Sequence, residues 1–166
     1  QVDQIHMFHG HFPFMAAALV EADTTMTIVR EPVDRVISHM RHCRRHFPAH
    51  RGKPLEAVYE DGWLHPLFFR NYQVKQFALT AEDAPLAHNE DIVIDADRLE
   101  VGLANLEQVD VLGLTEQYED FLDEVVDRFG WARVGSDRLQ ASPGPMKVSQ
   151  ALRARIEADN QADIEF

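Results

Sequence analysis

Hydrophobic and polar positions change period at Arg30. Upstream, Thr24 to Val29 reads as a short buried strand, with Met26, Ile28 and Val29 apolar and threonines adding β-propensity. Downstream, Val33, Val36, Ile37, Met40, Cys43 and Phe47 recur at helical spacing, a stripe that packs while Ser38, Arg41 and Arg45 take other faces. Pro32 fits the first turn of that helix, where a missing N–H costs nothing, and Pro48 closes it. Leu55 to Tyr59 and Leu67 to Leu79 predict two more helices, and Leu99, Leu103 and Leu106 a further one. "VDVLGL" (109–114) predicts a second strand leading to Thr115 as the N-cap of a helix, with Tyr118, Phe121, Leu122, Val125 and Phe129 inward and Gly130 as its stop. "GSDRLQASPGP" (135–145) reads as loop, and Ser149 caps a last helix with Leu152, Ile156 and Ile164 apolar. Two strand-then-helix units predict an α/β fold with a small parallel sheet flanked by helices. Ligands of such sheets sit at the carboxyl ends of the strands, where Arg30 falls.

The 166 residues suit one domain, taken as 1–166. No segment approaches the roughly 18 uninterrupted apolar residues of a membrane span. A lone cysteine, Cys43, excludes an internal disulfide and a cysteine-built metal site, and it points to a reducing compartment, so a cytoplasmic location is expected. Net charge of -12 argues against nucleic acid as a partner, which needs a basic face to displace counterions. The charge is uneven, however. From Arg30 to Lys53 seven Lys or Arg face two acids, a local +5 that leaves -17 for the rest. Either a site for an anionic ligand or a solvated basic helix face accounts for that contrast.

Arg30, ending a strand, and Ser38, two turns into the next helix, are spaced to bring a guanidinium, a hydroxyl and a helix N-terminus around one phosphate. Alternatively, Arg30 pairs with Glu31 or another acid and Ser38 is an ordinary helix serine. "HGHFPF" (9–14) puts His9 and His11 on one side of an extended segment, with Gly10 permitting close approach of a ligand. Imidazole can take a proton from a hydroxyl near neutral pH, and a second imidazole can position the first. The same pair, joined by His6, could instead ligate zinc or simply pack. His39, His42, His46 and His50 add further imidazoles, of which 42 and 46 share a helical face, but no nearby carboxylate completes a ligand set.

"TIVREPVDRVISHMRH" (27–42) resembles the phosphate-binding segment of carbohydrate sulfotransferases that use 3′-phosphoadenosine 5′-phosphosulfate. "HGHFPF" is similar to the histidine segment carrying the catalytic base in heparan sulfate 2-O-sulfotransferases. "NYQVKQF" (71–77), "GLTEQYEDFL" (113–122) and "IEADNQADIEF" (156–166) resemble stretches of the 2-O and 6-O enzymes and bacterial relatives, in the same order. The resemblance implies a P-loop-like three-layer fold and transfer of a sulfuryl group to a hydroxyl-bearing acceptor, a carbohydrate above all. It implies Arg30 and Ser38 as ligands of the cofactor 3′-phosphate, His11 as general base with His9 supporting it, and Arg35 as a further cofactor or acceptor contact. Adenosine 3′,5′-bisphosphate would be the product, and no metal is required. Asn71 and Gln73 either face the cleft or tie helices together as a buried amide pair, and Thr115 is a nucleotide contact or a helix cap.

The family's lysine-bearing, glycine-containing loop, which cradles the 5′-phosphosulfate, has no counterpart in the chain. That element would precede "HGHF", so the fold is expected to be incomplete at the N-terminus, with an upstream strand, loop and helix lying outside this sequence. At "LQASP", relatives often carry an asparagine ahead of the serine, which leaves Ser142 without an assigned role. Two other functions stand beside the enzyme: a non-catalytic nucleotide- or sugar-binding module of the same fold, and a metal-dependent hydrolase built on His6, His9 and His11. The acidic surface favours a small or neutral acceptor over a long polyanion.

Overall fold

The chain folds around one helix, α2 (Pro32–His46), whose ends are written into its sequence. The computed structural model describes residues 7, 9–83, 91–133 and 148–166. The loop expected at 135–145, with Ser142, lies outside the described residues, as does His6. At the N-terminus of α2 the Glu31 carboxylate accepts from the Val33 and Asp34 amides at 3.1 and 2.6 Å, and Pro32 fills the first position. Arg44, Arg45 and His46 sit in the last turn, where positive charge meets the negative end of the helix dipole. Phe47 turns to extended backbone ahead of Pro48, as a residue before proline must.

The apolar stripe of α2 builds the core. Val33, Val36, Ile37, Met40 and Cys43 pack with Leu55, Val58 and Tyr59 of α3 (Leu55–Tyr59), with Leu64 and Phe69, and with Leu152 and Ile156 of α7 (Gln150–Asp159). Phe47, the last member of the expected stripe, is exposed because the helix ends one residue before it.

Strand β1 (Met26–Val29) pairs in parallel with β2 (Val111–Leu114), Met26 opposite Val111 and Val29 opposite Leu114. The observed architecture is therefore mixed α/β with a two-stranded parallel sheet flanked by helices. The Asp110 carboxylate accepts from the Thr25 amide and hydroxyl at 2.8 and 3.1 Å, fixing the register at one end. At the other end the Thr115 hydroxyl donates to the Val29 carbonyl at 3.1 Å. This corrects the expectation that Thr115 caps a helix: a short 3₁₀ turn intervenes, and α6 (Tyr118–Phe129) starts behind Gln117 with no side-chain cap. Gly113 is required there, since a Cβ would lie 2.4 Å from the Phe121 ring that packs onto the strand. Val125 of α6 is buried, Tyr118 is exposed, and Gly130 ends the helix at φ 65°.

The single helix expected over 67–79 is two elements. His65–Phe69 forms one turn of π-helix, and Asn71 then adopts a left-handed conformation at φ 49° before α4 (Tyr72–Ala78). What caps the restart comes from the far end of the chain. Asn160 Oδ1 accepts from the Asn71 amide at 2.8 Å, and the Asp163 carboxylate accepts from the Gln73 and Val74 amides at 3.2 and 2.8 Å. Asn160 also divides the expected last helix into α7 and α8 (Gln161–Glu165), which turns Ile164 out to solvent. Ser149 does cap α7, accepting from the Leu152 amide at 3.2 Å. Helix α5 (Ala96–Leu106) packs on α4 through Gly102, where a Cβ would approach Val74 to 2.9 Å, and α1 (Ala16–Leu19) follows the histidine segment. Among the described residues no helix is long and apolar enough to cross a membrane.

Candidate functional site

At the carboxyl ends of the two strands a cleft of about 310 Å³ opens between Val29, Arg30, Glu31 and Pro32 on one side and Leu114 and Glu116 on the other. Gln73, Asp163 and Phe166 complete its wall. That volume is at the small end for a ligand site, enough for a phosphate and part of a sugar but short of a whole nucleotide.

Arg30 is held by its backbone. Gln73 Oε1 accepts from the Arg30 amide and Gln73 Nε2 donates to the Arg30 carbonyl, both at 2.8 Å. Gln73 itself is 9 % exposed and anchored through its amide to Asp163. Gln73 lines the cleft, and its side chain ties α4 to the strand end instead of pairing with Asn71 between helices. Asn71 is likewise a tie, since its Oδ1 accepts from the Asp163 amide at 3.3 Å while its own amide bonds Asn160.

The Arg30 guanidinium is about one-third exposed and its Nε, shut off from water, has no hydrogen-bond acceptor. Glu116 is the nearest acid, at 3.8 Å, and its Oε1 also accepts from the Glu31 amide at 3.3 Å. A buried N–H without an acceptor costs free energy that an anion would recover, so the arginine fits a phosphate. Glu116 stands where that phosphate's charge would go. The N-terminus of α2 is also taken, because Glu31 caps it, which corrects the expectation that the helix dipole is free to help at this point.

Ser38 and Arg35 do not line the cleft. They lie on the outward face of α2 together with His39. Arg35 is half-buried with its guanidinium enclosed: it donates to the Phe68 carbonyl, lies 4.6 Å from the centre of the Tyr72 ring, and its Nε has no acceptor. Burial, partly offset by Asp163, pushes its pKa down to about 10, and the charge of Arg30 lowers it further. The two arginines thus feel one another, one at the cleft and one behind it.

His11 belongs to this second place. The segment carrying it is pinned by Phe14, whose amide donates to the Gln76 carbonyl at 2.8 Å and whose ring stacks on Phe77 at 5.6 Å. Gly10 allows the Phe12 ring to fold over the backbone, since a Cβ would meet that ring at 2.4 Å. His9 and His11 are both exposed. Burial holds the pKa of His39 down to about 4, and the charges of Arg35, His42 and His11 act in the same direction. The charge of His11 thus reaches His39, while His9 has no hydrogen bond or ring contact among the described residues. Beside His39 runs an aromatic wall: its ring stacks on Phe68 at 5.5 Å, Phe68 meets the half-exposed Trp63 at 5.4 Å, and Phe68 lies 6.1 Å from Tyr72.

Sequence reasoning thus missed three participants. Glu116 carried no signal beyond its place after a strand. His39 could have been found from its four-residue spacing to Arg35, whereas Asp163 sits in a polar turn, between Gln161 and Glu165, that gave no signal. Among the described residues no three His, Cys, Asp or Glu side chains converge as a metal site, and His6 lies outside them. Compared with family models, with curated proteins and with solved structures, the chain matches none.

Proposed function

We propose that the chain belongs to a sulfotransferase domain of P-loop-like type, with a nucleotide-phosphate site at Arg30 and an acceptor site along the face of α2 that carries Arg35 and His39. The observation that carries the reading is the Arg30 guanidinium, fixed at the carboxyl end of β1 by the Gln73 clasp, with a buried Nε that lacks an acceptor. Its position on the strand end is where ligands of parallel sheets bind. Arg30 would hold the 3′-phosphate of the nucleotide, Glu116 swinging out to solvent as it binds. Ser38 and Arg35 lie outside the cleft wall, so the direct contact rests on Arg30. When bound, 3′-phosphoadenosine 5′-phosphosulfate supplies the sulfuryl group and adenosine 3′,5′-bisphosphate is left.

His11 would take the proton of the acceptor hydroxyl, a contribution of typically ~10² to 10⁴-fold. His39 rather than His9 feels its charge, and with a pKa near 4 it stays neutral and adds no positive charge to the base at pH 7. The wall of Trp63, Phe68 and Tyr72 offers aromatic faces to the apolar side of a sugar ring, which supports a neutral carbohydrate acceptor over a polyanion.

Calorimetric titration tests the nucleotide site directly. Adenosine 3′,5′-bisphosphate should bind more tightly than adenosine 5′-monophosphate, and Arg30→Gln should abolish that difference at a cost of about 2 kcal/mol, roughly 30-fold, the low end for a partly exposed charge contact. Equal affinity for the two nucleotides would overturn the assignment. For the base, sulfuryl transfer to a neutral sugar should fall in His11→Ala with bisphosphate affinity unchanged.

A further inference from the structure

The last two turns of α2 carry His42 and His46, four residues apart, with ring centroids 4.3 Å apart and planes tilted by 33°. Residues at that spacing lie one above the other on a helix, so their side chains point the same way. Two imidazole nitrogens each about 2.0–2.1 Å from one metal ion, meeting at a right angle, put the ring centres roughly 4.5 Å apart. The observed separation is within a small side-chain rotation of that bite.

From this geometry we infer that His42 and His46 form a two-point surface chelate for a divalent transition-metal ion, with copper(II) the tightest. Imidazole is a ligand suited to copper, nickel and zinc, and the affinity order of such ions favours copper. The site lies at the carbonyl end of α2, where the dipole favours a cation. His46 is exposed and His42 partly so, which leaves the remaining coordination positions to water. His39 does not join them: its ring is engaged by Phe68 and Phe69, 5.9 Å from that of His42. Arg45, in the same last turn, brings positive charge close to the pair. The same charge of Arg45 opposes an arriving cation, so the chelate is weak beside a three-ligand structural site. The inference stands apart from the nucleotide reading.

The experiment uses the full chain with copper(II) and nickel(II) chloride as probes. Wild type should bind one more equivalent than His42→Ala/His46→Ala, and copper(II) electron paramagnetic resonance should show coupling to two imidazole nitrogens that vanishes in the double variant. Each single variant should lose on the order of 100-fold in affinity, the gain from presenting a second ligand within the same molecule. Both positions face solvent, so folding is checked by an unchanged circular dichroism spectrum. Identical stoichiometry and spectra for wild type and double variant would overturn the inference. So would loss of the two-nitrogen signal in His9→Ala/His11→Ala with His42 and His46 intact.

Discussion

Replacing Gln73 by methionine keeps most of the side-chain volume while removing both hydrogen bonds to the Arg30 backbone. Each bond is 2.8 Å long, part-buried, and joins groups 43 positions apart in the chain. A hydrogen bond of this kind contributes about 1 kcal/mol net, and leaving a buried donor or acceptor unmade costs about 1–3 kcal/mol. The Arg30 amide lies just past β1 and has no second partner among the described residues. About 2–4 kcal/mol of lost stability follows, which at roughly 2–4 °C per kcal/mol for a chain of this size lowers Tm by about 5–15 °C. Urea titration read by circular dichroism measures the loss, with an unchanged slope showing that the native state stays compact. The same variant should weaken adenosine 3′,5′-bisphosphate binding even though residue 73 need not touch the phosphate, because it frees the backbone that aims the guanidinium. A stability change below about 0.5 kcal/mol together with unaltered nucleotide affinity would refute the clasp as the device that fixes Arg30.

Three further outcomes follow from individual contacts. Glu116→Gln should raise anion affinity at Arg30 by about 2- to 5-fold at low salt, the worth of an exposed ion pair, and the gain should fade as salt is added. Asp83, 7 % exposed, accepts from both terminal nitrogens of Arg98 and from Thr80, and Arg98 first among these holds its carboxyl well below the usual carboxylate range. A depressed folded-state pKa adds stability above the unfolded value near 4 and loses it as pH falls further, so Asp83→Asn should cost about 2–3 kcal/mol at pH 7 and flatten the acid limb of a urea-midpoint profile. Cys43 is fully buried and its thiol is pushed up to about 11 by burial, so a disulfide reagent at pH 8 should react at the rate of native-state opening; the speed of an exposed thiol would contradict this.

What could be read from the chain was whatever the chain determines locally. The stripe of α2, its proline at the start and its proline stop lie within seventeen residues, and each is legible from propensity and period; the Glu31 cap was not foreseen. Leu55–Tyr59 and the glycine stop of α6 are legible in the same way, whereas the parallel pairing of the two strands, 85 positions apart, followed from the repeated strand-then-helix order. Failures came where a distant residue decides. The break at Asn71 is stable because Asn160 and Asp163, some ninety positions later, satisfy the amides that a continuous helix would have satisfied itself. Thr115 looked like a cap because a threonine after a strand usually is one, yet a neighbouring strand offered the Val29 carbonyl instead. The split of the candidate site has the same origin: sequence spacing puts Arg30 at a strand end and Ser38 two turns into the next helix, but only packing shows that the cleft ends before the second turn.

Asp163, in the wall of the cleft, and Arg35, outside it, feel one another's charge. Asp163 is 4 % exposed and its pKa is raised, burial being the largest cause, with the Val74 amide and the Arg35 charge opposing it. Arg35→Met removes that opposing charge while Lys75 still opposes the effect of burial on Asp163, and it should cost about 1–3 kcal/mol, the penalty for a buried polar group left partly unmet. The sign of its pH dependence is fixed. A carboxyl whose folded pKa lies above its unfolded value gives up stability as pH rises through the folded pKa, and losing Arg35 raises that pKa further, so the variant should suffer more at pH 7.5 than at pH 4.5. Arg35→Met/Asp163→Asn removes both charges. Asparagine accepts through one oxygen only, so one amide bond, about 1 kcal/mol, stays lost, and the double variant should regain most of the remainder with no pH dependence from this source. Urea midpoints of the four proteins at the two pH values close the cycle. Additive losses would mean that the two charges ignore each other, and that the cleft and the aromatic wall are held in register by packing alone.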